Sequence, residues 1–165
     1  MDKAEITVIL YNVRSLHNVG SIFRTADAAG VKKIFLCGIT PAPTDIFGKI
    51  RPQFAKVSLG AEKFVPWQRI WRTADAIRNL KKDGYKIFAV EQSRRSIPYY
   101  SVKYQVSSIK RIALVLGSEV RGLPPSVLKR ADKILEIPMY GRKESLNVAV
   151  AFGIIAFGIR LFCGG

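Results

Sequence analysis

Clustered metal ligands and redox-active cysteine pairs are missing from this sequence. It has two cysteines, Cys37 and Cys163, far apart in the chain, and one histidine, His17. Without a Cys-X-X-Cys pair or a Cys/His cluster, the sequence indicates neither a zinc site nor a redox centre, and we expect no metal. The cysteines lie in apolar surroundings and no signal-peptide hydrophobic region follows Met1. We therefore expect buried, reduced thiols in a cytoplasmic protein.

The usual signatures of hydrolases and nucleotide-binding enzymes are missing as well. A hydrolase triad would need His17 beside an activated serine, but no Gly-X-Ser-X-Gly elbow is present. We therefore expect His17 to be a loop residue that bonds to backbone. No Gly-X-Gly-X-X-Gly follows the first apolar run, which argues against a nicotinamide dinucleotide site. Residues 116–123 (LGSEVRGL) superficially resemble a phosphate loop, but Leu123 stands where that loop needs lysine.

Acidic residues are scarce. The chain has 12 aspartates and glutamates against 27 lysines and arginines, which gives a formal net charge of +15. A surplus of this size on a small protein indicates a polyanionic partner, because each phosphate contact releases condensed counterions from nucleic acid. The basic residues occur throughout the chain and form no single polybasic tail, which favours nucleic acid over an anionic membrane surface.

Apolar runs typical of strands alternate with helical patterns along the chain. Strands are predicted at 6–11, 33–36, 63–65, 86–90, 111–116 and 134–137, and helices at 19–29, 73–82, 124–131 and 146–162. Residues 38–52 and 138–144 are predicted loops, and 93–108 has no clear period. The alternation predicts an α/β fold whose mostly parallel sheet has helices on both faces. Such folds bind ligands at the carboxyl ends of their strands.

One apolar segment is long. Residues 146–162 (LNVAVAFGIIAFGIRLF) approach the length of a membrane span, but the segment is slightly short and contains Asn147. It is also the only such segment in the chain. A single small sheet covers one side of a helix that is apolar all round, so a second subunit would cover the rest. We expect a helix buried in the core and in a dimer interface, with a membrane anchor as the alternative.

Three segments carry polar residues that each follow a predicted strand. The first is 17–30 (HNVGSIFRTADAAG), with Asn18 and Arg24; the second is 112–132 (IALVLGSEVRGLPPSVLKRAD), with Gly117, Glu119 and Gly122; the third is 135–153 (LEIPMYGRKESLNVAVAFG), with Ser145, Leu146 and Asn147. Singly, each has an ordinary explanation: Asn18 as a helix cap, Arg24 as solvent-facing charge, Glu119 as a partner of Arg121, Ser145 and Asn147 as the cap of the last helix. Together, in this order, they closely resemble the motifs of the SpoU/TrmH branch of the SPOUT methyltransferases.

The resemblance covers nearly the whole chain and implies a fold that composition and periodicity do not. It implies a single SPOUT domain over 1–165 with no separate RNA-binding domain, and a C-terminal deep trefoil knot at about 112–153. General topology rules argue against a knot. The resemblance also implies a homodimer packed through the C-terminal helix, in which Arg24 works near the partner's knot.

The implied cofactor is S-adenosylmethionine, with S-adenosylhomocysteine as product and no metal. The implied cofactor-binding residues lie in four loops and are Val90, Glu91, Leu116, Gly117, Ile137, Pro138, Met139, Ser145 and Leu146. Apolar walls around an adenine, with backbone groups reading its edge, suit such residues.

The implied activity is methylation of a ribose 2′-hydroxyl of tRNA or rRNA. Arg24 is the implied catalytic arginine, either as the base or as an electrostatic clamp on phosphate and developing alkoxide. The remaining implied catalytic residues, which would orient Arg24 and the ribose, are Asn18, Glu119, Ser145 and Asn147. The alternatives are a SPOUT-type RNA base methyltransferase and a catalytically inactive RNA-binding protein.

RNA contacts are expected at basic residues in three loops. These are Lys49, Arg51, Lys56, Arg94, Arg95, Arg142 and Lys143, and stacking on unpaired bases is expected of Phe54, Tyr99 and Tyr100. A solvated basic loop explains each of these positions equally well.

Overall fold

Seven parallel strands make the sheet around which the chain folds. In the computed structural model, which describes residues 4–164, the strands are β1 (Glu5–Tyr11), β2 (Lys33–Cys37), β3 (Trp67–Ile70), β4 (Lys86–Val90), β5 (Ile97–Pro98), β6 (Arg111–Leu116) and β7 (Lys133–Glu136). Their order is β3-β2-β1-β6-β4-β7-β5, and every neighbouring pair is parallel. The predicted α/β fold with a parallel sheet is confirmed.

Helices cover both faces of this sheet because its strands are apolar on both sides. They are α1 (Leu16–Ala28), α2 (Pro52–Ser58), α3 (Thr73–Lys82), α4 (Lys103–Val106), α5 (Pro125–Leu128) and α6 (Val148–Gly164). On β1, Ile6, Val8 and Leu10 face a core shared with α1, α2, α4 and α6, whereas Ile9 faces a core shared with α3 and α5. Alternate residues of a strand point to opposite faces, so one strand supplies both cores.

The predicted strand at 63–65 is wrong. The chain turns there, because Leu59 and Gly60 both adopt positive φ values of 51° and 85°, and a short 3-10 helix follows at Ala61–Lys63. Val65 is buried as a strand residue would be, but it anchors this turn in the core. The edge strand β3 begins two residues later, at Trp67.

Helix α2 was not predicted, and its presence buries an aromatic residue. Pro52 occupies its first turn, where the missing N–H costs nothing. Phe54 is fully buried and packs edge-to-face on Phe23, with ring centroids 5.2 Å apart. The expectation that Phe54 stacks on RNA bases is therefore wrong.

Helix α6 buries one side and exposes the other. Phe152, Ile155 and Ile159 are fully buried, whereas Phe157 is 50% and Leu161 70% exposed. Within residues 4–164, no helix combines the length and apolarity that crossing a membrane requires.

The guanidinium of Arg160 fastens α6 to the start of the sheet and the end of α1. It donates hydrogen bonds to the carbonyls of Ala4, Ala29 and Gly30. Gly30 ends the α1 segment with a φ of +64°, as its place in the sequence predicts. One side chain thereby satisfies three carbonyls that the helix and strand ends leave without partners.

Both cysteines are free and buried, as predicted. Burial raises the pKa of the Cys37 thiol to about 11. Burial also raises the pKa of Cys163, whose thiol donates to the carbonyl of Val106. Neither thiol is therefore activated as a nucleophile.

Candidate functional site

A cavity of about 680 Å³ opens at the carboxyl ends of β4, β6 and β7. Its walls come from the loops that follow these strands and from the segment before α6, including Glu91, Gly117, Ile137 and Asn147. Ligand sites of α/β sheets lie at this edge. The volume falls in the range of roughly 300–1,000 Å³ that is usual for small-molecule sites.

Two glycines allow the loop after β6 to fold tightly against itself. A Cβ on Gly117 would clash with the main chain of Gly122 and would lie 2.7 Å from the nitrogen of Leu123. Gly122 has a φ of +62°, and a Cβ there would strike the carboxylate of Glu91. That carboxylate accepts a 2.8 Å hydrogen bond from the Leu123 N–H, which joins the loop after β4 to the loop after β6. A side chain at Gly117 thus disrupts the floor of the cavity.

The carboxylate of Glu119 joins the loop after β6 to the start of α1. It accepts hydrogen bonds from the backbone N–H groups of Arg14 (3.1 Å) and Ser15 (3.2 Å) and from Nδ2 of Asn18 (3.0 Å). Partial burial acts to raise the pKa of Glu119, but these hydrogen bonds outweigh it and hold the pKa below its ordinary value. Glu119 therefore bonds to residues at and just before the start of α1. The expected local pairing with Arg121 does not occur.

Asn147 continues this network into the third motif. Its Nδ2 donates to Oδ1 of Asn18 at 3.0 Å, and its Oδ1 accepts from the Ala149 N–H at 2.9 Å as the cap of α6. The side chains of Asn147, Asn18 and Glu119 therefore form one hydrogen-bonded chain that links the three sequence motifs.

Asn18 is not the helix cap that its sequence position suggests. The cap of α1 is Ser15, whose hydroxyl accepts a 3.1 Å hydrogen bond from the Asn18 N–H. Asn18 lies in the first turn and is buried, so its side-chain amide is free to join the network. His17 lies beside it in the same turn, exposed, and not in a loop.

Arg24 stands apart from this network. It lies six residues after Asn18 on α1, which is a rise of about 9 Å. The side chain is exposed and does not line the cavity. Among residues 4–164 the ion pairs are Lys32–Glu5 and Arg78–Asp75, so Arg24 has no carboxylate partner there.

The sequence-predicted cofactor residues converge on the cavity, with one exception. Its lining includes Val90, Glu91, Leu116, Gly117, Ile137, Met139, Ser145 and Leu146, but not Pro138. Sequence reasoning missed Ser118 and Glu136, which also line it. Glu136 is oriented by a 2.6 Å hydrogen bond from the Ser96 hydroxyl. The signal for both was their place at the ends of β6 and β7, beside residues that the motifs do name.

The predicted RNA-binding residues divide into exposed and structural ones. Lys49, Lys56, Arg94, Arg95, Arg142 and Lys143 are exposed. Arg51 is half-buried, and its Nε donates to the carbonyl of Thr44 at 3.2 Å, which closes the 44–50 loop. Tyr100 is exposed, whereas Tyr99 stacks on Phe162 with ring centroids 6.4 Å apart.

Groups of three or more His, Cys, Asp or Glu side chains that could hold a metal ion do not occur among residues 4–164.

Comparison with protein families matches residues 5–157 to the model described as the SpoU rRNA Methylase family. A tRNA (guanosine(18)-2′-O)-methyltransferase of Aquifex aeolicus is 32% identical over 153 residues, which are 93% of this chain and 67% of that relative. The 23S rRNA (guanosine-2′-O-)-methyltransferase RlmB of Escherichia coli is 33% identical over 150 residues, which are 91% of this chain and 57% of the relative.

Solved structures give the same result. The crystal structure of an AdoMet-bound rRNA methyltransferase from Sinorhizobium meliloti superposes with a TM-score of 0.85 at 33% identity, covering 97% of this chain and 57% of that one. The chain spans between 56% and 67% of the length of the curated relatives.

Proposed function

The chain belongs to the SpoU rRNA Methylase family, and from that membership we propose that it transfers a methyl group from S-adenosylmethionine to a ribose 2′-hydroxyl of tRNA or rRNA. The observation that carries the proposal is the hydrogen-bonded chain Asn147–Asn18–Glu119 at the rim of the cavity. It brings the three motifs of this family to one edge of the sheet.

The cavity suits S-adenosylmethionine, which is a nucleoside with a short charged tail. Its lining combines apolar side chains with polar ones and with the glycine-containing loop after β6. The residues that would hold the cofactor are the eight predicted ones that line the cavity, with Ser118 and Glu136 added. When bound, this cofactor supplies an electrophilic methyl group on a sulfonium that is already a good leaving group. The protein's task is then to place the ribose oxygen and ease loss of its proton.

Asn18, Glu119 and Asn147 are positioning residues in this proposal. Both ends of the Asn18 and Asn147 amides are used within the protein, and Glu119 accepts from three donors. They hold the loop after β6, the start of α1 and the start of α6 in fixed relation. Ser145 has no such role, because it is exposed on the cavity lining, and we assign it to contact with ligand.

Arg24 is the catalytic residue in this proposal and acts through its charge. A guanidinium keeps its proton at any physiological pH, so it clamps a neighbouring phosphate and stabilises negative charge that develops on the 2′-oxygen. Its exposed position outside the cavity of its own chain supports action beside a second subunit's site.

We propose a homodimer that packs through α6. Val150, Phe157 and Leu161 are 51%, 50% and 70% exposed, and their spacing of seven and four residues places them on one face of the helix. A stripe of this kind is normally covered by protein. The dimer would also bring Arg24 to the partner's cavity.

We propose that the segment at about 112–153 forms a deep trefoil knot. Supporting it, the loop after β6 bonds to the start of α1 through Glu119, and α6 then returns across the sheet to reach the carbonyls of Ala4 and Ala29. A contiguous single domain with a cytoplasmic location is part of this proposal, and the two free thiols support the location.

A methyl-transfer assay tests the activity. Purified protein, radiolabelled S-adenosylmethionine and total RNA from a bacterium that lacks the endogenous modification should yield labelled RNA. Nucleoside analysis should recover the label in a 2′-O-methylnucleoside. Label in a methylated base would replace the proposal with base methylation, and folded protein that binds RNA without transferring label would indicate an RNA-binding protein.

A further inference from the structure

An exposed tryptophan stands at the same edge of the sheet as the cavity. Trp71 directly follows β3, and it is 71% exposed. Aromatic side chains of this size are seldom left in water without a partner. Trp71 does not line the cavity, and it belongs to none of the three motifs.

The indole is held in place from one side. The guanidinium carbon of Arg69 lies 4.9 Å from the centroid of the Trp71 ring. The same guanidinium donates hydrogen bonds to the carbonyls of Gly38 (3.0 Å) and Thr40 (2.6 Å). Arg69 thus ties Trp71 to the loop after β2, and the Gly38 N–H donates to the Trp71 carbonyl at 3.1 Å. An indole held this way has lost much of the freedom that ligand binding would otherwise have to remove.

A single short loop connects this aromatic residue to the hydrogen-bonded network. Asn12 accepts a 3.0 Å hydrogen bond from the Ile39 N–H through Oδ1, beside Trp71. Two and three residues later, the N–H groups of Arg14 and Ser15 donate to Glu119. Trp71 and Glu119 follow strands three positions apart in the sheet order, which is a separation of about 14 Å.

The charge around Trp71 is positive. Arg69 and Arg72 flank it in the chain, and the nearest acid along the sequence, Asp75, pairs with Arg78 at 2.7 Å. This positive surface is therefore better suited to bind a polyanion such as RNA than a protein surface with few acidic residues. Stacking on an aromatic ring is open to every base, because each has a π-face.

We propose that Trp71, supported by Arg69, is a stacking platform for an unpaired base of the RNA substrate near the nucleotide that is methylated. This inference rests on the proposed function and adds a substrate requirement: the target lies in a single-stranded stretch and not within a duplex. Stacking on Trp71 would not distinguish one base from another. Its role would be to hold the RNA strand in a fixed path across the protein.

The test compares two exposed aromatics at opposite ends of β3. Phe64 is 74% exposed, as Trp71 is 71%, but it precedes the strand and therefore lies at the edge of the sheet away from the cavity. Binding of a labelled oligouridylate should weaken at least about fivefold in Trp71→Ala and stay unchanged in Phe64→Ala. Trp71→Phe should retain most of the affinity, and a duplex RNA should bind all four proteins alike.

Fluorescence gives a second measurement without removing the platform. Trp67 and Trp71 are the two tryptophans, so Trp67→Phe leaves Trp71 as the sole tryptophan, whose emission is excited at wavelengths that tyrosine does not absorb. Oligouridylate should quench its emission, and duplex RNA should not. Absence of quenching, equal losses in both alanine variants, or a change of oligomeric state in Trp71→Ala would each overturn the inference.

These binding measurements use no cofactor, so they separate the two proposals. If the wild type fails to methylate RNA while Trp71→Ala still weakens oligouridylate binding, only the proposed methyltransferase activity is contradicted. Normal methyl transfer by Trp71→Ala, with an unchanged KM for total RNA, would contradict only the platform.

Discussion

Both the nitrogen and the oxygen of the Asn18 side-chain amide are hydrogen-bonded within the protein, which makes Asn18 a positioning residue. Its Nδ2 donates to Glu119 and its Oδ1 accepts from Asn147, at 3.0 Å each. Asn18 is buried, whereas Glu119 and Asn147 are exposed, so water replaces Asn18 as their partner and its removal should cost about 0.5–1.5 kcal/mol, as a typical net hydrogen bond does. We therefore expect substitutions of Asn18 to lower stability together with activity, whereas a catalytic group would affect activity alone.

Arg24→Ala tests this distinction. The side chain is exposed and makes no ion pair within residues 4–164, so its loss should leave the free energy of unfolding within about 0.5 kcal/mol of wild type. Methyl transfer should fall by about 100-fold or more, since a group that stabilises the transition state lowers kcat. Affinity for S-adenosylmethionine, measured by calorimetry, should stay unchanged.

Two companion variants sharpen the result for Arg24. Arg24→Lys should remain inactive, because an ammonium lacks the planar fork that holds phosphate bidentately. Lys32→Ala is the control. It removes an exposed cation that precedes β2, at the edge of the sheet opposite the cavity, and it should keep full activity. Wild-type kcat in Arg24→Ala would show that another residue carries the charge.

Glu119→Gln tests the electrostatic part of the network. The pKa of Glu119 is lowered in the folded protein, so its carboxylate contributes stability above the ordinary glutamate pKa and loses it as the pH falls through the lowered value. At pH 7 we expect the variant to be less stable by no more than about 1 kcal/mol, because Glu119 is largely exposed and water screens its charge. The difference between the two unfolding curves should narrow as the pH falls below about 4.

The exposed Glu144 provides the control for this measurement. Glu144→Gln should follow the wild-type curve at every pH. A gap between wild type and Glu119→Gln that persists to pH 2 would indicate lost packing in place of lost charge.

At the level of elements, length decided what could be predicted. β1 and β6 are mostly apolar runs of seven and six residues and α3 is an amphipathic helix of ten, and their predicted positions agree with the structure to within a residue. The 93–108 segment contains a two-residue strand, a 3-10 turn and the four-residue α4, each too short to show a period. Their positions are set by contacts, such as the stacking of Tyr99 on Phe162.

Helix α6 shows where sequence reasoning reaches its limit for a single element. The even apolar coverage of 146–162 predicted a helix with two covered sides, and the structure distinguishes them: Phe152 and Ile155 face the core, Phe157 and Leu161 face out. Periodicity gave no way to choose, because both sides are equally apolar. Only the position of α1 and the sheet determines which side remains open.

Phe157→Glu tests the role of the open side. A charge on an apolar interface cannot be paired or hydrated once buried, so the variant should sediment as a monomer of 18.4 kDa. The wild type should sediment at twice this mass. Activity should fall with the dimer, since Arg24 is proposed to serve the partner's cavity.

Phe64→Glu is the matched control for the dimer, because Phe64 is 74% exposed and precedes β3, outside both α6 and the predicted RNA-binding loops. It should remain dimeric and active. A monomeric Phe157→Glu protein with full activity would remove the dimer from the mechanism.

For the whole molecule, the dominant property is a net charge of +15. The logarithm of the RNA association constant should fall linearly with the logarithm of salt concentration, because bound cations are released from the strand. Lys49 and Lys56 are exposed, whereas Arg51 supports its own loop. Replacing both lysines by glutamine should reduce the slope by about 1.4 for a single strand, as two lost phosphate contacts require.

Lys81 and Lys82 form the control pair. Both are exposed at the end of α3, just before β4, and so lie at the amino ends of the strands, away from the cavity. Their replacement by glutamine should leave the slope within error. Equal effects of the two pairs would mean that RNA responds to total charge and to no defined surface.

The sequence motifs predict which residues line the cavity, but they do not predict how the side chains of different motifs are connected. Eight of the nine predicted cofactor-binding residues line it. That Asn18 joins Glu119 and Asn147, residues 101 and 129 positions away, depends on a sheet order in which β6 lies between β1 and β4. Motifs specify residues, whereas the order of strands specifies which residues meet.

The sheet order also has a consequence for how the protein is made. β1 is the first strand of this sheet to leave the ribosome, yet it lies in the middle of the sheet between β2 and β6, and β6 begins at Arg111. Until then the nascent chain carries β1 with an open, apolar edge, of the kind that pairs with other chains. The last contacts of the same region, from Arg160 to Ala4 and Ala29, arrive later still. Synthesis arrested before residue 111 should therefore leave a product that chaperones hold and proteases clear, however stable the finished protein is.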